Sequence, residues 1–489
     1  MRRSIAGGVF VLLLAAGLPA RAARFEDHFA DRTMRIDYYH AGNAAEETAT
    51  LDRVYDQGLW AGSRTHLIDP FDVGRYRITL TDAATGVRLF ARGFDSYFGE
   101  YKTSTPAVDG VRRTFHESAL VPYPLKKVRF TLEAKDRKNV AHAVFSCEID
   151  PADPAIVRET PAPGVKVFEA VKSGDPHAKV DVAFVAEGYT AAEEAKFRAD
   201  LDRFVRILFK AEPYSSRRDA FNIAGVFKPS AESGTDEPSH GRYRATAVGT
   251  SFDSLGSDRY LLTEDNKALR DIAAAVPYDT LFIMVNTSRY GGGGIYNFFC
   301  TFTTDNQWHE YLFLHEFGHS FSGLADEYYT SDVAYNEFYP RGVEPAEANI
   351  TALLDPAALK WKDLVAPGTP IPTPWEKAAF DAMEEASQKI RREANAKVAR
   401  LKREGAPGPE IAAAEAEVER LSKEAARETD AFLAASRFAG VVGAFEGAGY
   451  ASQGLFRPEV DCLMFSKGDK PLCRVCGAAV VRVIGQYLE

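Results

Sequence analysis

The chain has 489 residues, 46% of them hydrophobic, 12% aromatic and 26% charged, with a formal net charge of −10. That length exceeds one ordinary domain, so two or three domains with a large core are expected. The acidic balance excludes a general attraction for nucleic acid or anionic lipid.

The N-terminus, MRRSIAGGVFVLLLAAGLPARA, carries Arg2 and Arg3, an apolar run from Ile5 to Leu18, and Ala20-Arg-Ala22 in a small-x-small arrangement. This predicts a signal peptide over residues 1–22, removed on export to give a secreted or periplasmic protein. The apolar run is short for a membrane anchor. Removal would take away Arg2, Arg3 and Arg21 and no acid, leaving a net charge of −13. No later segment is long and apolar enough to span a membrane.

From residue 23 to about 155, short alternating stretches such as RYRITLTDAATGVRLFARGF and KKVRFTLEAKDRK are broken by turns. Alternation rich in Thr, Val, Tyr and Phe predicts an antiparallel β-sandwich domain. Asp31, Asp37, His40 and His66 lie in it without forming a chemical constellation. A proline-rich stretch, DPADPAIVRETPAPGVK, reads as a linker. A second domain is expected over 163–489. It opens with the strand KVDVAFVAEGYT and a helix bearing Phe197, Leu201, Phe204, Val205 and Leu208 at helical spacing. Two more core strands, AFNIAGVFKPS and YDTLFIMVNTS, complete an α/β alternation. The overall class is therefore a mixed α+β and α/β multidomain fold.

Next comes RYGGGGIYNFFCTFTTDN, which reads as an edge strand able to pair with an extended peptide or as a flexible loop. The stretch NQWHEYLFLHEFGHSF follows as a helix. Its His315 and His319, at i and i+4, share one face and can aim at one zinc ion. Glu316 lies beside them, where a carboxylate can take a proton from an activated water. Catalytic zinc needs a third protein ligand. Position 325, where a third histidine is often found, is Ala325. In metzincin peptidases a glycine ends this helix and the third ligand follows three residues later. Gly323 fits the turn and Asp326 stands three residues on, with Glu327 as its rival.

Over 376–434, Ala, Glu, Lys and Arg dominate and apolar residues recur at intervals of three and four, with a break at REGAPGPE. This predicts an inserted antiparallel helical hairpin, able to contact a partner or substrate or to brace a loop. The glycine-rich segment after it holds three of the five cysteines: Cys462, Cys473 and Cys476, with Cys147 and Cys300 earlier. Cys473-Arg-Val-Cys476 reads as a redox pair, half of a second zinc site, or structural cysteines bonded to Cys462 or Cys300. The structural reading is preferred.

Seven stretches together, AEGYT (186–190), ESGTD (232–236), GGGGIYNFF (291–299), HEFGHSFSGLADEY (315–328), FEGAGY (445–450), FRPEVDCLM (456–464) and LCRVC (472–476), resemble the IgA peptidase family of secreted, metzincin-like zinc endopeptidases. The resemblance covers about 165–489 apart from the hairpin, and the sandwich fits the family's arrangement. It implies Zn²⁺ on His315, His319 and the downstream acid, Glu316 as general base, and Met464 beneath the metal. Tyr450 is a candidate donor to the oxyanion, with Arg457 and Tyr296 as alternatives. The expected function is a secreted zinc endopeptidase acting on protein or peptide substrates. The alternatives are an exported glycan- or protein-binding protein with a structural or vestigial metal site, and a zinc amidase acting on cell-wall peptides.

Overall fold

A computed structural model describes residues 24–158, 162–330 and 338–488; the expected signal peptide lies outside the described residues. The first part of the chain forms α1 (Phe25–His28), β1 (Phe29–Gly42), β2 (Glu47–Asp56), β3 (Tyr76–Asp82), β4 (Arg88–Phe94), α2 (Tyr97–Tyr101), α3 (Thr105–Val108), β5 (Arg113–Pro124), β6 (Val128–Lys135) and β7 (Ala141–Ile149). Its strands make two antiparallel sheets, in the orders β2-β1-β5 and β4-β3-β6-β7. In β6 the alternation is plain: Val128, Phe130, Leu132 and Ala134 are buried and the residues between them reach outward. Ile36 and Tyr38 of one sheet join Ile78, Leu80 and Phe130 of the other in a shared core.

The second part contains β8 (Lys166–Val171), β9 (Val180–Glu187), α4 (Glu194–Leu208), β10 (Phe221–Phe227), the short β11 (Thr250–Ser251) and β12 (Leu262–Thr263), α5 (Asn266–Ala273), β13 (Thr280–Val285), β14 (Gly292–Ile295), β15 (Phe299–Thr303) and α6 (His309–Ser322). A six-stranded sheet runs β14-β15-β13-β9-β10-β8. Its four central strands are parallel and the edges β14 and β8 are antiparallel to their neighbours. Every residue of β9 and β13 is buried, so both faces of the sheet must be covered. On one face Phe184 and Phe282 stack 4.6 Å apart, and Phe282 meets Phe313 and Phe317 of α6 at 4.8 and 4.7 Å. Ala183, Val185, Ile283 and Val285 point the other way, into the same core as the N-terminal sheets and α5.

The two parts are thus joined by one hydrophobic core. Arg35 of β1 spans the join, 3.0 Å from Asp37 and 2.7 Å from Asp271 of α5. The stretch read as a linker is partly docked. Val157 donates to the Val54 carbonyl and accepts from the Asp56 N–H, both at 2.9 Å, which extends the edge of β2.

Beyond α6 come α7 (Lys377–Arg403), α8 (Gly408–Ala434), β16 (Phe445–Ala448), β17 (Ala451–Arg457) and α9 (Arg474–Tyr487). Helices α7 and α8 run side by side in opposite directions. Phe380 meets Phe432 at 5.8 Å near one end, and Leu401 packs with Ala414 near the other. Among the described residues no helix is long and apolar enough to cross a membrane.

Asp37 is 0% exposed, and without its guanidinium partner the buried carboxylate would keep only the Ser118 hydroxyl at 2.6 Å and the His116 ring at 3.5 Å. Arg35→Ala is therefore expected to cost about 3–5 kcal/mol. A thermal unfolding midpoint equal to that of the wild type would show that the pair does not hold the two parts together.

Candidate metal centre

Helix α6 divides its stripes between two tasks. Phe313, Phe317 and Phe321 are buried in the core on the helix side of the large sheet. The opposite stripe, with His315, Glu316 and His319, lines a cleft. The helix ends at Gly323, whose φ of 59° allows the reversal. Its N–H donates to the His319 carbonyl at 3.0 Å and the Leu324 N–H to the Gly318 carbonyl at 3.1 Å, a paired C-cap that turns the chain back toward the histidines. A side chain at 323 would meet Val73 Cγ1 at 2.6 Å, so the loop before β3 closes against this turn.

The turn brings Asp326 to the two histidines. Asp326 Oδ1 lies 3.0 Å from His315 Nε2 and 3.2 Å from His319 Nε2, and the two nitrogens are 3.1 Å apart. His315 Nδ1 donates to the Leu463 carbonyl at 3.2 Å and His319 Nδ1 to the Leu324 carbonyl at 2.6 Å. Those bonds fix the tautomers, so both Nε2 atoms turn lone pairs toward one point. Asp326 Oδ1 is buried and receives no well-directed hydrogen bond.

Burial opposes charge on His319, yet Asp326 lifts its pKa to about 9. Burial likewise opposes ionisation of Asp326, but His319 and His315 overcome it and hold the carboxyl well below the usual range. The pocket therefore stabilises a positive charge where the three atoms converge. Tetrahedral zinc, with bonds of about 2.0–2.2 Å to nitrogen and oxygen, sets its ligand atoms about 3.3–3.6 Å apart, close to these spacings. Two imidazoles, a carboxylate and an adjoining cleft suit a catalytic zinc.

Neighbouring groups hold this arrangement. The Tyr450 hydroxyl donates to Asp326 Oδ2, and Tyr450 itself sits at a φ of 61°, unusual for a side chain of its size. Met464 packs against Gly318, where an added Cβ would stand 2.9 Å from its sulfur. The Met464 carbonyl accepts from the Glu327 N–H at 2.9 Å. Glu327 itself turns away from the histidines, its Oε1 lying 3.0 Å from Cys476 Sγ.

Glu316 lines the cleft, and burial pushes its carboxyl up against the opposing pull of His315 and His319. Across from it runs β14, and the glycine run has a steric reason. A Cβ on Gly294 would meet the Glu316 carbonyl at 2.5 Å and His319 Cβ at 2.8 Å, and one on Gly292 would stand 3.1 Å from Glu316 Oε1. The strand passes over the helix at a distance only glycine permits.

Of the other candidates, Tyr296 lines the cleft. Arg457 instead lies between Trp375 and Phe465, 4.3 and 3.8 Å from their ring centres, with its donors on the Gly447 and Val460 carbonyls. Sequence reading missed Arg259, which also lines the cleft and donates to the Tyr328 hydroxyl at 2.9 Å. Tyr328 could have been flagged by its place two residues after Asp326. An isolated arginine in a loop carries no such signal.

The family described as IgA Peptidase M64 matches residues 168–484, and the one described as Peptidase M64 N-terminus matches residues 24–146. No curated protein matches the chain. The first match takes in every residue of the cleft's metal-binding candidates, and the second takes in both antiparallel sheets except the last three residues of β7. The chain belongs to the IgA peptidase M64 family and is a peptidase.

Proposed function

We propose that the chain is an exported zinc endopeptidase in which His315, His319 and Asp326 hold the ion and Glu316 is the general base. The observation that carries this reading is the convergence of two oriented imidazole lone pairs and an unbonded carboxylate oxygen within 3.0 to 3.2 Å of one another. Zinc bound there supplies Lewis acidity, lowering the pKa of water to about 7 and polarising a carbonyl.

The chain's own groups do the rest. Glu316 takes the proton of the attacking water on a carboxylate oxygen and passes it to the leaving amine. Its partial desolvation suits both tasks, since a raised carboxyl pKa makes it a better base and a usable acid. Arg259 and the Tyr328 hydroxyl it holds offer donors on the cleft wall for the developing oxyanion. Tyr450, by donating to Asp326 Oδ2, orients the third ligand.

Substrate would lie along β14 in an extended conformation. The Gly292 N–H and carbonyl are already engaged by the Arg259 carbonyl and the Leu261 N–H, both at 3.2 Å. By strand alternation the outward groups of Gly294 share that direction, beside His319. Main-chain pairing at that point would hold a peptide with little demand on its side chains.

Cleavage of an unfolded protein substrate by zinc-loaded enzyme tests the base. Glu316→Ala is expected to lower kcat by about 10²–10⁴-fold with metal content unchanged, and equal turnover would sink the mechanism. Tyr450→Phe is expected to weaken metal affinity by about 10–100-fold. A fall in kcat at saturating zinc with affinity unchanged would assign the hydroxyl to the reacting oxygen instead. Gly294→Ala, which forces β14 off α6, should cost about 1–3 kcal/mol of stability and lower activity; wild-type activity in this variant would contradict the proposed substrate strand.

A further inference from the structure

The metal centre leaves one buried cluster unexplained. Glu327, Cys462, Cys473 and Cys476 are 0%, 2%, 6% and 0% exposed, and one potential ligand atom from each lies within 4.8 Å of all the others. They come from three separate places: the turn after α6, the loop after β17, and the start of α9. All five cysteines of the chain are free thiols, so the bond to Cys462 or Cys300 expected from sequence is not formed.

We infer that these four residues form a second, structural metal site for zinc, closed by three thiolates and the Glu327 carboxylate. Glu327 Oε1 stands 3.0 Å from Cys476 Sγ and 4.0 Å from Cys473 Sγ. Zinc with bonds of about 2.3 Å to sulfur and about 2.0–2.2 Å to oxygen places its ligand atoms about 3.5–3.8 Å apart, inside that spread. Four protein ligands, all buried, describe a structural site, not a catalytic one.

Three further observations favour a cation over a disulfide. Glu327 Oε2 is buried without any hydrogen bond, although Asn349 serves Oε1 at 3.1 Å; an orphaned interior carboxylate oxygen is costly unless a positive charge meets it. Backbone N–H groups already point at the sulfurs: Met464 and Cys473 donate to Cys462 Sγ at 3.4 and 3.2 Å, and Cys476 donates to Cys473 Sγ at 3.4 Å. Such bonds stabilise thiolates. A disulfide between any two of these cysteines would leave the third thiol buried beside the Glu327 carboxylate, whose Oε2 would still lack any hydrogen bond. Three thiolates and a carboxylate outweigh a divalent cation, and the buried Arg457 is near enough to Glu327 and Cys462 to offset part of the surplus.

The position gives the site its use. Glu327 follows Asp326 directly, and Cys462 precedes Leu463 and Met464, whose carbonyls hold the His315 ring and the Glu327 N–H. An ion here would clamp, from beneath, the two chain segments that shape the cleft's metal centre.

Cobalt substitution tests this, because thiolate–cobalt charge transfer gives a near-ultraviolet band that histidine and carboxylate ligands do not. The full chain, stripped of metal and reloaded with cobalt, is expected to show the band, and Asp326→Ala should keep it. With zinc alone, elemental analysis should count two ions per wild-type chain and one per Asp326→Ala chain. One ion in both, with the band retained, would leave this site standing and remove the proposed catalytic one. Cys462→Ser should lose or shift the band, but the wild-type spectrum decides even if that variant does not fold. Cobalt bound without the band, thiols still freely reactive after zinc loading, or a native mass short by the hydrogens of a disulfide would each overturn the inference.

Discussion

Two imidazole lone pairs and a carboxylate oxygen about 3 Å apart repel one another unless a positive charge lies between them. The surrounding structure can be understood as what forces them together. Each ring is held by a main-chain carbonyl on its far nitrogen, one from the turn at Leu324 and one from the loop at Leu463. The carboxylate is held by a phenol on its far oxygen. Each group is therefore held at the end away from the charge, leaving the near ends free to share it.

That arrangement sets demands on distant elements. Helix α6 keeps its histidine stripe toward the cleft because the opposite stripe is locked into the aromatic stack over β13 and β9. The loop bearing Leu463 has to lie directly under the helix, which is possible only because residue 318 is glycine and Met464 fills the space a side chain would take. The glycines of β14 meet the same limit from above. Close packing above and below the helix explains why β14 carries glycines and the loop after β17 carries a methionine where each meets it.

Much of this was legible in the sequence. The count from Gly323 to residue 326 comes from the metzincin pattern, while the i, i+4 histidines and the positive-φ glycine at 323 follow from local geometry, which survives folding. The alternating stretches foretold antiparallel strands for the same reason. Less was legible where partners are far apart along the chain. Asp326 and Glu327 are neighbours with the same chemistry, and only the burial of one among cysteines and of the other between histidines separates them. The glycine run read equally well as a flexible loop because its cause, the approach of Glu316 and His319, lies in another element. Arg35 and Arg259 look like surface residues until the core closes around them. The convergence of Cys462 with Cys473 and Cys476 depends on how α9 docks, which no spacing rule encodes.

The contact of Val73 with the Gly323 turn shows where the molecule can be divided. Val73, Arg75 and Asp95 form part of the cleft wall although they lie in the loops flanking β3 and β4, in the part of the chain that holds none of the three candidate ligands. The antiparallel sheets of that part cover the apolar face of β9 and β13. A chain trimmed to the segment bearing the histidines would expose that face to water and lose one side of its cleft. The smallest unit able to keep this shape is therefore nearly the whole chain, and the boundary drawn by chemistry does not coincide with the boundary drawn by folding.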